Sequence, residues 1–387
     1  MQLLDTLQSQ RFDAFAARLL DALEDIVHNV QIASNFGIHH PNYRSMELRA
    51  ARADCLQQLP MDLQNQYLSL QLQSFLYAIY YNGSYRPSSV PETDAVSSSP
   101  SKPIENNTVK GLNLKFYEAL HDSNQGEGYF DPGWLVLRQE RDGSLAVQKE
   151  GLTLHIKYAS DTHGKEACYS NLTGRSAVVG DKVAIRLPRN RVETGFYIAV
   201  GNAGPVKADT SGNPPDAVNL YFNVTPEGAI ALMRSLTQRL NAIPIPFTFK
   251  VLDDPDHYRG YDTSALNFEK LHYERIRPIL QTIYTEYQSH FGEETPLFTK
   301  RLAPGLALSE EPDHKFSARE DFGLNRCQIV ANGLVEAWRA GHTSPEARMN
   351  AILKHFSSNG VKMTCPYMNA NSEDIYTPLF YQRQPRP

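Results

Sequence analysis

The chain has 387 residues, of which 41% are apolar and 21% are charged, and this composition is typical of a soluble globular protein of one or two domains. The formal net charge of −5 gives no overall attraction to nucleic acid or to an acidic membrane. The four cysteines are widely spaced and form no C-x-x-C pair, so zinc and redox motifs are not indicated and reduced thiols are expected. Neither a signal peptide nor a membrane span is predicted, which favours a cytoplasmic protein; a secreted protein is the second possibility.

The first 85 residues are predicted to form a helical subdomain. Apolar residues recur every three or four positions over residues 12–30, which indicates an amphipathic helix, and a second such helix follows Pro60. Serine and proline then dominate, and bulky apolar residues are almost absent, so residues 86–110 are predicted to be a flexible linker. The third unit comprises residues 111–387.

The third unit is predicted to have an α+β fold with helices packed on a curved, mostly antiparallel sheet. Successive short strands lie too close in the chain for parallel crossovers, and several form hairpin-like pairs. The predicted strands are Trp134–Arg138, Leu145–Lys149, Leu152–Tyr158, Val183–Leu187, Phe196–Val200, Val218–Val224, Phe247–Leu252 and Ala265–Phe268. The predicted helices are Leu112–Leu120, Pro226–Asn241, Tyr273–His290, Leu324–Ala340 and Pro345–Phe356.

Lys250 is the candidate with the clearest chemical rationale. Alternation in the run FTFKVL directs Phe247, Phe249 and Val251 to one face and Lys250 to the other. A lysine held on a rigid strand against apolar neighbours is a usable general base, since desolvation disfavours its charged form. The alternative is a solvated lysine on an exposed strand face.

Several longer motifs carry a resemblance. FTFKVL followed by YRGYD, with TPEG before them and PLFTKRLAPGLALSEEP and FGLNRCQIVANGL after them, resembles the HopA-type family of type III secretion effectors. Some members of that family are similar to phosphothreonine lyases, which act in lanthipeptide and thioamide-peptide biosynthesis after a kinase has phosphorylated Ser or Thr. The resemblance therefore implies that residues 111–387 form a lyase-like domain, which requires no metal and no organic cofactor.

Phosphate elimination needs a base for the Cα proton, an acid for the leaving oxygen and cations for the phosphate. With Lys250 as the base, His155 is the predicted general acid. Phosphothreonine lyases carry a Lys-x-His strand, whereas this chain has Thr153-Leu154-His155. The alternative for His155 is a surface histidine on a strand.

Four cations are the predicted phosphate ligands, and we expect at least two of the arginines to converge with Lys250 and His155 on one cleft. Arg326 lies at a helix start that favours an anion, and Arg186 interrupts an apolar strand, where its partner is either a phosphate or a structural carboxylate. Arg259 follows Lys250 closely and either binds phosphate or forms a loop ion pair with Asp262. Lys149 either replaces the missing strand lysine or is solvated in a turn.

The predicted function is a metal-independent phospho-Ser/phospho-Thr lyase that makes dehydroamino acids in a precursor peptide. Its expected partners are the phosphorylated peptide and a kinase, with no nucleic acid and no membrane. The alternatives are a non-catalytic, effector-like adaptor and a kinase-associated scaffold that binds the peptide. A cluster of inward cations would favour the lyase, because an adaptor does not need one.

Overall fold

The computed structural model describes residues 14–85, 87, 108–109, 112–156, 169–170, 177–207, 216–318 and 320–380. Within these ranges there are eight α-helices and 17 strands. The helices are α1 Ala14–Asn29, α2 Ala50–Gln57, α3 Met61–Leu76, α4 Leu114–Ser123, α5 Pro226–Asn241, α6 Tyr273–Tyr287, α7 Phe322–Arg339 and α8 Pro345–Ser358. A π-helical turn, Tyr77–Tyr81, continues α3.

The strands belong to four antiparallel sheets. Two are small: β1 Gln31–Ile32, β2 Ile38–His40 and β3 Tyr43–Met46 form one, and β4 Thr108–Val109 and β5 Leu112–Asn113 the other. A five-stranded sheet has the order β8-β7-β6-β10-β9, with β6 Tyr129–Gln139, β7 Leu145–Lys149, β8 Leu152–Ile156, β9 Tyr169–Ser170 and β10 Lys182–Leu187.

The largest sheet has seven strands in the order β11-β12-β14-β15-β13-β17-β16. Every neighbouring pair in it is antiparallel. Its members are β11 Asn190–Glu193, β12 Phe196–Val200, β13 Ala217–Phe222, β14 Phe247–Leu252, β15 Ser264–Glu269, β16 Lys300–Ala303 and β17 Leu306–Glu310.

Alternation gives the seven-stranded sheet one apolar and one polar face. Phe247, Phe249 and Val251 are fully buried on the apolar face, which packs on the amphipathic helices α5 and α6. The opposite face carries Lys250 next to Ala265, with Asn267 and Asn219 paired across the next strands. Because cross-strand partners share a face, polar residues from several strands come together there.

A second group of helices, α1, α3, α7 and α8, packs together. The end of α3 and the start of α7 meet the polar face of the large sheet. Apolar residues of α1 and α3 belong to the same buried core as the large sheet, for example Leu19, Leu72 and Leu220. The five-stranded sheet has its own smaller core around Trp134, Val147 and Ile185.

The predicted α+β class with largely antiparallel pairing is confirmed. Three short strands accompany the helices of the first 85 residues, and the strands β11, β16 and β17 of the large sheet were not predicted. Residues 88–107, most of the predicted linker, lie outside the described residues, so the domain boundaries stay a prediction. Within the described ranges, no helix combines the length and the apolarity that crossing a membrane requires.

Candidate functional site

A cavity of about 240 Å³ opens on the polar face of the seven-stranded sheet, and we call it the Lys250 cleft. Its floor comes from β13, β14 and β15, and its walls come from the end of α3, the start of β12 and the residues around the start of α7. The side chains that define its chemistry are Lys250, Asp262, Glu311 and Asp321, the aromatic residues Tyr77, Tyr81, Phe196 and Tyr221, and the amide of Asn219.

Lys250 is held by two contacts from the neighbouring hairpin. Its Nζ donates to Glu193 Oε1 at 2.8 Å and lies 3.7 Å from the ring centroid of Phe196. Glu193 and Phe196 are register partners on β11 and β12, so the hairpin presents both groups together. Both contacts stabilise the positive charge of the ammonium group. The side chain remains 35% exposed and therefore reaches solvent from the cleft.

The tyrosines Tyr77 and Tyr81 are positioned by the π-helical turn, a feature that occurs frequently at functional sites. Their ring centroids are 4.9 Å apart. Gly323 in the first turn of α7 allows this arrangement, because a Cβ there would lie 2.3 Å from the Tyr81 ring and 2.7 Å from the Tyr77 ring. The Tyr77 hydroxyl donates to Asp262 Oδ2 at 2.9 Å.

Two carboxylates of the cleft have raised pKa values. Burial raises the pKa of Asp262 to about 6; the nearby charge of Asp321 acts in the same direction, and the hydrogen bond from Tyr77 opposes it. Desolvation also raises the pKa of Asp321, which caps α7 by accepting from the Leu324 N–H at 2.8 Å. The hydrogen bond from Leu324 and the charge of Lys250 oppose this rise in the pKa of Asp321 but do not cancel it. Perturbed acids in a cleft are a recognised mark of functional sites.

Glu311 joins the Lys250 cleft to a second cavity of about 530 Å³, which we call the Glu311 groove. Asn267 donates to Asn219 at 2.9 Å, and Asn219 donates to Glu311 Oε2 at 2.6 Å. Lys315 donates to the other carboxylate oxygen of Glu311. The groove is also lined by two more carboxylates, Asp216 and Asp313, and by the amides of Asn369 and Asn371. The polar face is therefore predominantly acidic.

The predicted general acid lies elsewhere in the molecule. His155 is on β8, the edge strand of the five-stranded sheet, with 55% of its side chain exposed. Its Nδ1 lies 3.5 Å from Glu140 Oε1, a carboxylate that also accepts from Arg138 at 2.8 Å. His155 does not line the Lys250 cleft, so a substrate bound in the cleft would not contact both residues.

Arg186 and Lys149 also belong to the five-stranded sheet. Arg186 donates to the carbonyl of Glu127 at 2.6 Å. Lys149 donates to Asp131 Oδ2 at 2.7 Å and to the carbonyl of Pro132 at 2.9 Å. Asp131 also accepts from Lys207 and from the Trp134 indole. These contacts within the protein give Arg186 and Lys149 a structural role.

Arg326 is buried in the core, with 2% of its surface exposed. Its Nε donates to the carbonyl of Pro366 at 2.8 Å, a second nitrogen donates to that of Met368 at 3.3 Å, and the guanidinium lies 4.7 Å from the Phe322 ring centroid. Burial lowers the pKa of Arg326 to about 10. A guanidinium that is occupied by backbone carbonyls and shielded from solvent is not presented to a phosphate.

Arg259 is exposed in the turn after β14 and is not part of the cleft lining. The expected convergence of Lys250 with His155 and two of the arginines is therefore not found, because the chain distributes these residues over two sheets, a core position and a turn. Of the six predicted residues, Lys250 alone lines the cleft.

Sequence reasoning missed most of the residues that surround Lys250. Tyr77 and Tyr81 were assigned to an ordinary amphipathic helix, and the π-turn leaves no signal in the helical period. Asn219 and Tyr221 interrupt an apolar strand at every second position, and this alternation marks a polar sheet face. Asp321, directly before the FGLNRC run, has the residue type and position of a helix N-cap.

Together these features define an α+β protein with a carboxylate- and tyrosine-lined cleft on its main antiparallel sheet. Residues 187–368 match the model of the HopA1 effector protein family, which confirms the predicted resemblance to HopA-type effectors. The matched range includes Lys250 and most of the cleft but not Tyr77 and Tyr81, which come from the preceding helix. No group of three or more His, Cys, Asp or Glu in the described part of the chain is arranged to hold a metal ion.

Two solved structures are similar to this chain at low identity. The effector protein from Pseudomonas syringae pv. tomato strain DC3000 is 14% identical, with 79% of this chain and 96% of that chain covered and a TM-score of 0.40. The effector protein from Pseudomonas syringae pv. syringae strain 61 is 13% identical, with 80% and 98% covered and a TM-score of 0.38. No curated protein matches the chain.

Proposed function

We propose that this protein acts by binding, and that its Lys250 cleft receives a positively charged side chain, best an arginine, of a partner peptide. The observation that carries the proposal is the composition of the cleft: three carboxylates and four aromatic rings surround one ammonium group. Aromatic faces and carboxylates are the groups that recognise a cationic side chain.

The charge balance of the cleft supports a cation more than an anion. Lys315 neutralises Glu311, and Glu193 neutralises Lys250. Asp262 accepts a hydrogen bond from Tyr77, and Asp321 accepts one from the Leu324 N–H, but neither has an ion pair within the described residues. An incoming guanidinium would therefore supply the cation that both carboxylates lack. Lys250 Nζ lies 3.7 Å from the Phe196 ring centroid, so an aromatic ring of the cleft lining already stabilises one cation.

The size of the two cavities supports a peptide. The cleft, at about 240 Å³, is smaller than the roughly 300–1,000 Å³ of typical small-molecule pockets and suits a single side chain. The adjoining Glu311 groove, at about 530 Å³, offers Asp216 and Asp313 together with several amides. Such groups hydrogen-bond to an extended backbone and favour basic neighbours in the peptide.

The test is a binding titration with labelled peptides that carry one central arginine. Replacing the arginine by citrulline, which is neutral and nearly isosteric, should weaken binding about tenfold or more, as expected for a lost charge-assisted hydrogen bond. Asp321→Asn should weaken binding of the arginine peptide but not of the citrulline peptide. Glu118→Gln, an exposed position on α4, is the matched control. Equal affinities for the two peptides would refute the proposal.

The second candidate function is the phospho-Ser/phospho-Thr lyase activity. It is favoured by one observation: Lys250 shares its cleft with Asp262, whose pKa of about 6 suits an acid or base near neutral pH. In such an elimination the base takes the Cα proton, the Cα–Cβ double bond forms, and the Cβ–O bond breaks to release phosphate. The cleft lining contributes one cation to the leaving dianion, which is why we rank this function second.

Mass spectrometry separates the two functions. The protein is incubated with phosphoserine and phosphothreonine peptides, and loss of phosphoric acid reports elimination. The lyase requires that Lys250→Ala abolishes this loss while Arg138→Gln, a surface cation of the other sheet, leaves it unchanged. Absence of elimination from every peptide, together with arginine-dependent binding, would leave the binding function as the one supported.

A further inference from the structure

A second, basic cavity lies away from the Lys250 cleft, and we call it the Arg18 cavity. It measures about 570 Å³ and gathers Arg18 from α1 with Lys300 and Arg301 from β16. Its lining also includes the hydroxyl-bearing residues Thr364 and Tyr367 and the carboxylate of Asp374. Three cations from distant parts of the chain therefore face one space, in contrast to the acidic polar face.

Arg18 is fixed in place by the backbone and remains poorly compensated. It donates to the carbonyl of Thr295 at 2.5 Å and to the Thr295 hydroxyl at 3.0 Å. Its nearest carboxylate, on Glu294, is 3.5 Å away and 56% exposed, which makes the pair a weak one. Burial lowers the pKa of Arg18; the charge of Glu294 opposes this change, and the positive charge of Arg301 adds to it.

Arg301, like Arg18, has only a weak ion pair and can bind an added anion. Its carboxylate partner, Glu293, lies 3.4 Å away and is 82% exposed, so solvent screens the pair. Two guanidinium groups thus face the same cavity and repel one another, and an anion between them would remove that repulsion. Their planar donor groups match the oxygens of phosphate.

Lys300 has a stronger partner inside the cavity. Its Nζ donates to Asp374 Oδ2 at 2.5 Å, and the Tyr367 hydroxyl donates to the same oxygen at 2.6 Å. Burial alone would raise the pKa of Asp374, but the hydrogen bonds from Lys300 and Tyr367 outweigh it and lower the pKa. One carboxylate therefore neutralises one of the three cations, and the cavity keeps an excess of positive charge.

We propose that the Arg18 cavity is a binding site for a phosphate group, either inorganic phosphate or a phosphomonoester, gripped by Arg18 and Arg301. The bound anion joins α1 to β16 and thereby fastens the first helix to the edge of the main sheet. This site is independent of the Lys250 cleft, since it shares no lining residue with it.

Isothermal titration calorimetry of the full chain at low salt tests the site, with inorganic phosphate and a phosphoserine peptide as separate probes. Arg301→Gln should weaken binding about tenfold or more, the usual effect of losing a charge-assisted hydrogen bond. Arg138→Gln changes an arginine of comparable exposure, paired with Glu140 on the five-stranded sheet, and should leave the affinity unchanged. Bound phosphate should also raise the Tm of the wild type but not of Arg301→Gln.

The two probes identify the source of the anion. Tighter binding of the phosphoserine peptide than of phosphate assigns the site to a phosphorylated protein, whereas equal affinities assign it to the free ion; each supports the site. No binding of either probe, or equal binding by Arg301→Gln and wild type, would overturn it. Arg18→Gln is a second variant, but loss of its bonds to Thr295 also loosens α1, so Arg301→Gln decides.

Discussion

The pKa of a buried carboxylate is shifted in opposite directions at the two larger sheets. In the five-stranded sheet, burial alone would raise the pKa of Asp131, but hydrogen bonds from Lys149, Lys207 and Trp134 lower it to about 2. On the polar face of the seven-stranded sheet, burial raises the pKa of Asp262 to about 6. The hydrogen bond from the Tyr77 hydroxyl is the main interaction that opposes this rise. Polar groups of the smaller sheet are thus satisfied within the protein, whereas those of the cleft still have capacity for a ligand.

This difference separates structural from functional cations. Lys149 has two partners at hydrogen-bond distance and completes a cluster around Asp131. Lys250 contacts one carboxylate, that of Glu193, and one aromatic ring, that of Phe196, and its cleft is lined by more carboxylates than cations. A basic residue on a strand therefore indicates a ligand only when the surrounding groups are not already paired with one another.

The largest expected effect comes from the buried ion pair between Lys270 and Glu310. Lys270 Nζ lies 2.8 Å from Glu310 Oε1, and Glu310 is fully buried. After Lys270→Ala the carboxylate keeps hydrogen bonds from Ser372, Tyr376 and the Asn369 N–H but loses its paired cation, which should cost about 3 kcal/mol of unfolding free energy. Lys149→Ala is the contrast, because Asp131 keeps Lys207 and Trp134, and about 1 kcal/mol is expected. Urea unfolding measures both. Similar losses of unfolding free energy in Lys270→Ala and Lys149→Ala would show that the two sheets depend equally on their buried ion pairs.

Asp262 should make the large sheet less stable as the pH rises. Its folded pKa of about 6 exceeds the ordinary value of 3.8, so the native state binds the proton more tightly than the unfolded state, and this stabilisation is lost between about pH 4 and pH 6. Asp262→Asn should therefore become more stable than the wild type with rising pH, by at most about 3 kcal/mol at pH 7. Urea midpoints from pH 4 to pH 7 test this.

Asp131 should change the stability of the protein with pH in the opposite direction, and the same urea experiment tests this. Its folded pKa of about 2 lies below 3.8, so its stabilisation is present above about pH 4 and is lost as the pH falls towards 2. Asp131→Asn should be less stable than the wild type at pH 7, by at most about 2 kcal/mol. Two variants that shift stability in the same direction at pH 7 would contradict the contrast between the sheets.

A smaller effect is expected where Gly323 meets the tyrosines. Tyr81 is almost fully buried, so the Cβ of Gly323→Ala must displace its ring, and overpacking of this kind costs about 1–3 kcal/mol. The better helix propensity of alanine offsets up to about 1 kcal/mol. A Tyr81→Leu background removes the closer clash, with the Tyr81 ring, and leaves the one with Tyr77. Thermal unfolding of the four proteins in this double-mutant cycle should therefore show a coupling of at least about 0.5 kcal/mol. Additive effects would argue against the steric explanation.

Local alternation predicted the four central strands of the large sheet, β12, β14, β15 and β13. The run FTFKVL places Phe247, Phe249 and Val251 in the core and Lys250 on the opposite face, as predicted. The helix that starts at Pro226 and the helix that starts at Pro345 were found at their predicted starts, because Thr225 and Ser344 cap them with side-chain oxygens. These features depend on neighbours within a few residues, which the sequence displays directly.

The site was less predictable because it depends on which elements meet. Arg326 was correctly placed near the start of a helix, but its side chain points to the carbonyls of Pro366 and Met368, some 40 residues later in the chain. His155 and Lys250 occupy similar positions in alternating strands, yet one strand is a sheet edge and the other is central. Strand order is set by long-range packing, and the period of a single strand carries no information about it.

The smallest effect should come from His155. Its side chain is 55% exposed on an edge strand and contacts Glu140 at 3.5 Å, so His155→Ala should change the unfolding free energy by no more than about 0.5 kcal/mol. It should also leave the affinity for the arginine peptide unchanged, because it does not line the Lys250 cleft. Phosphopeptide elimination that the wild type performs and His155→Ala does not would instead assign His155 a catalytic role, and would require the five-stranded sheet to contribute to the reaction.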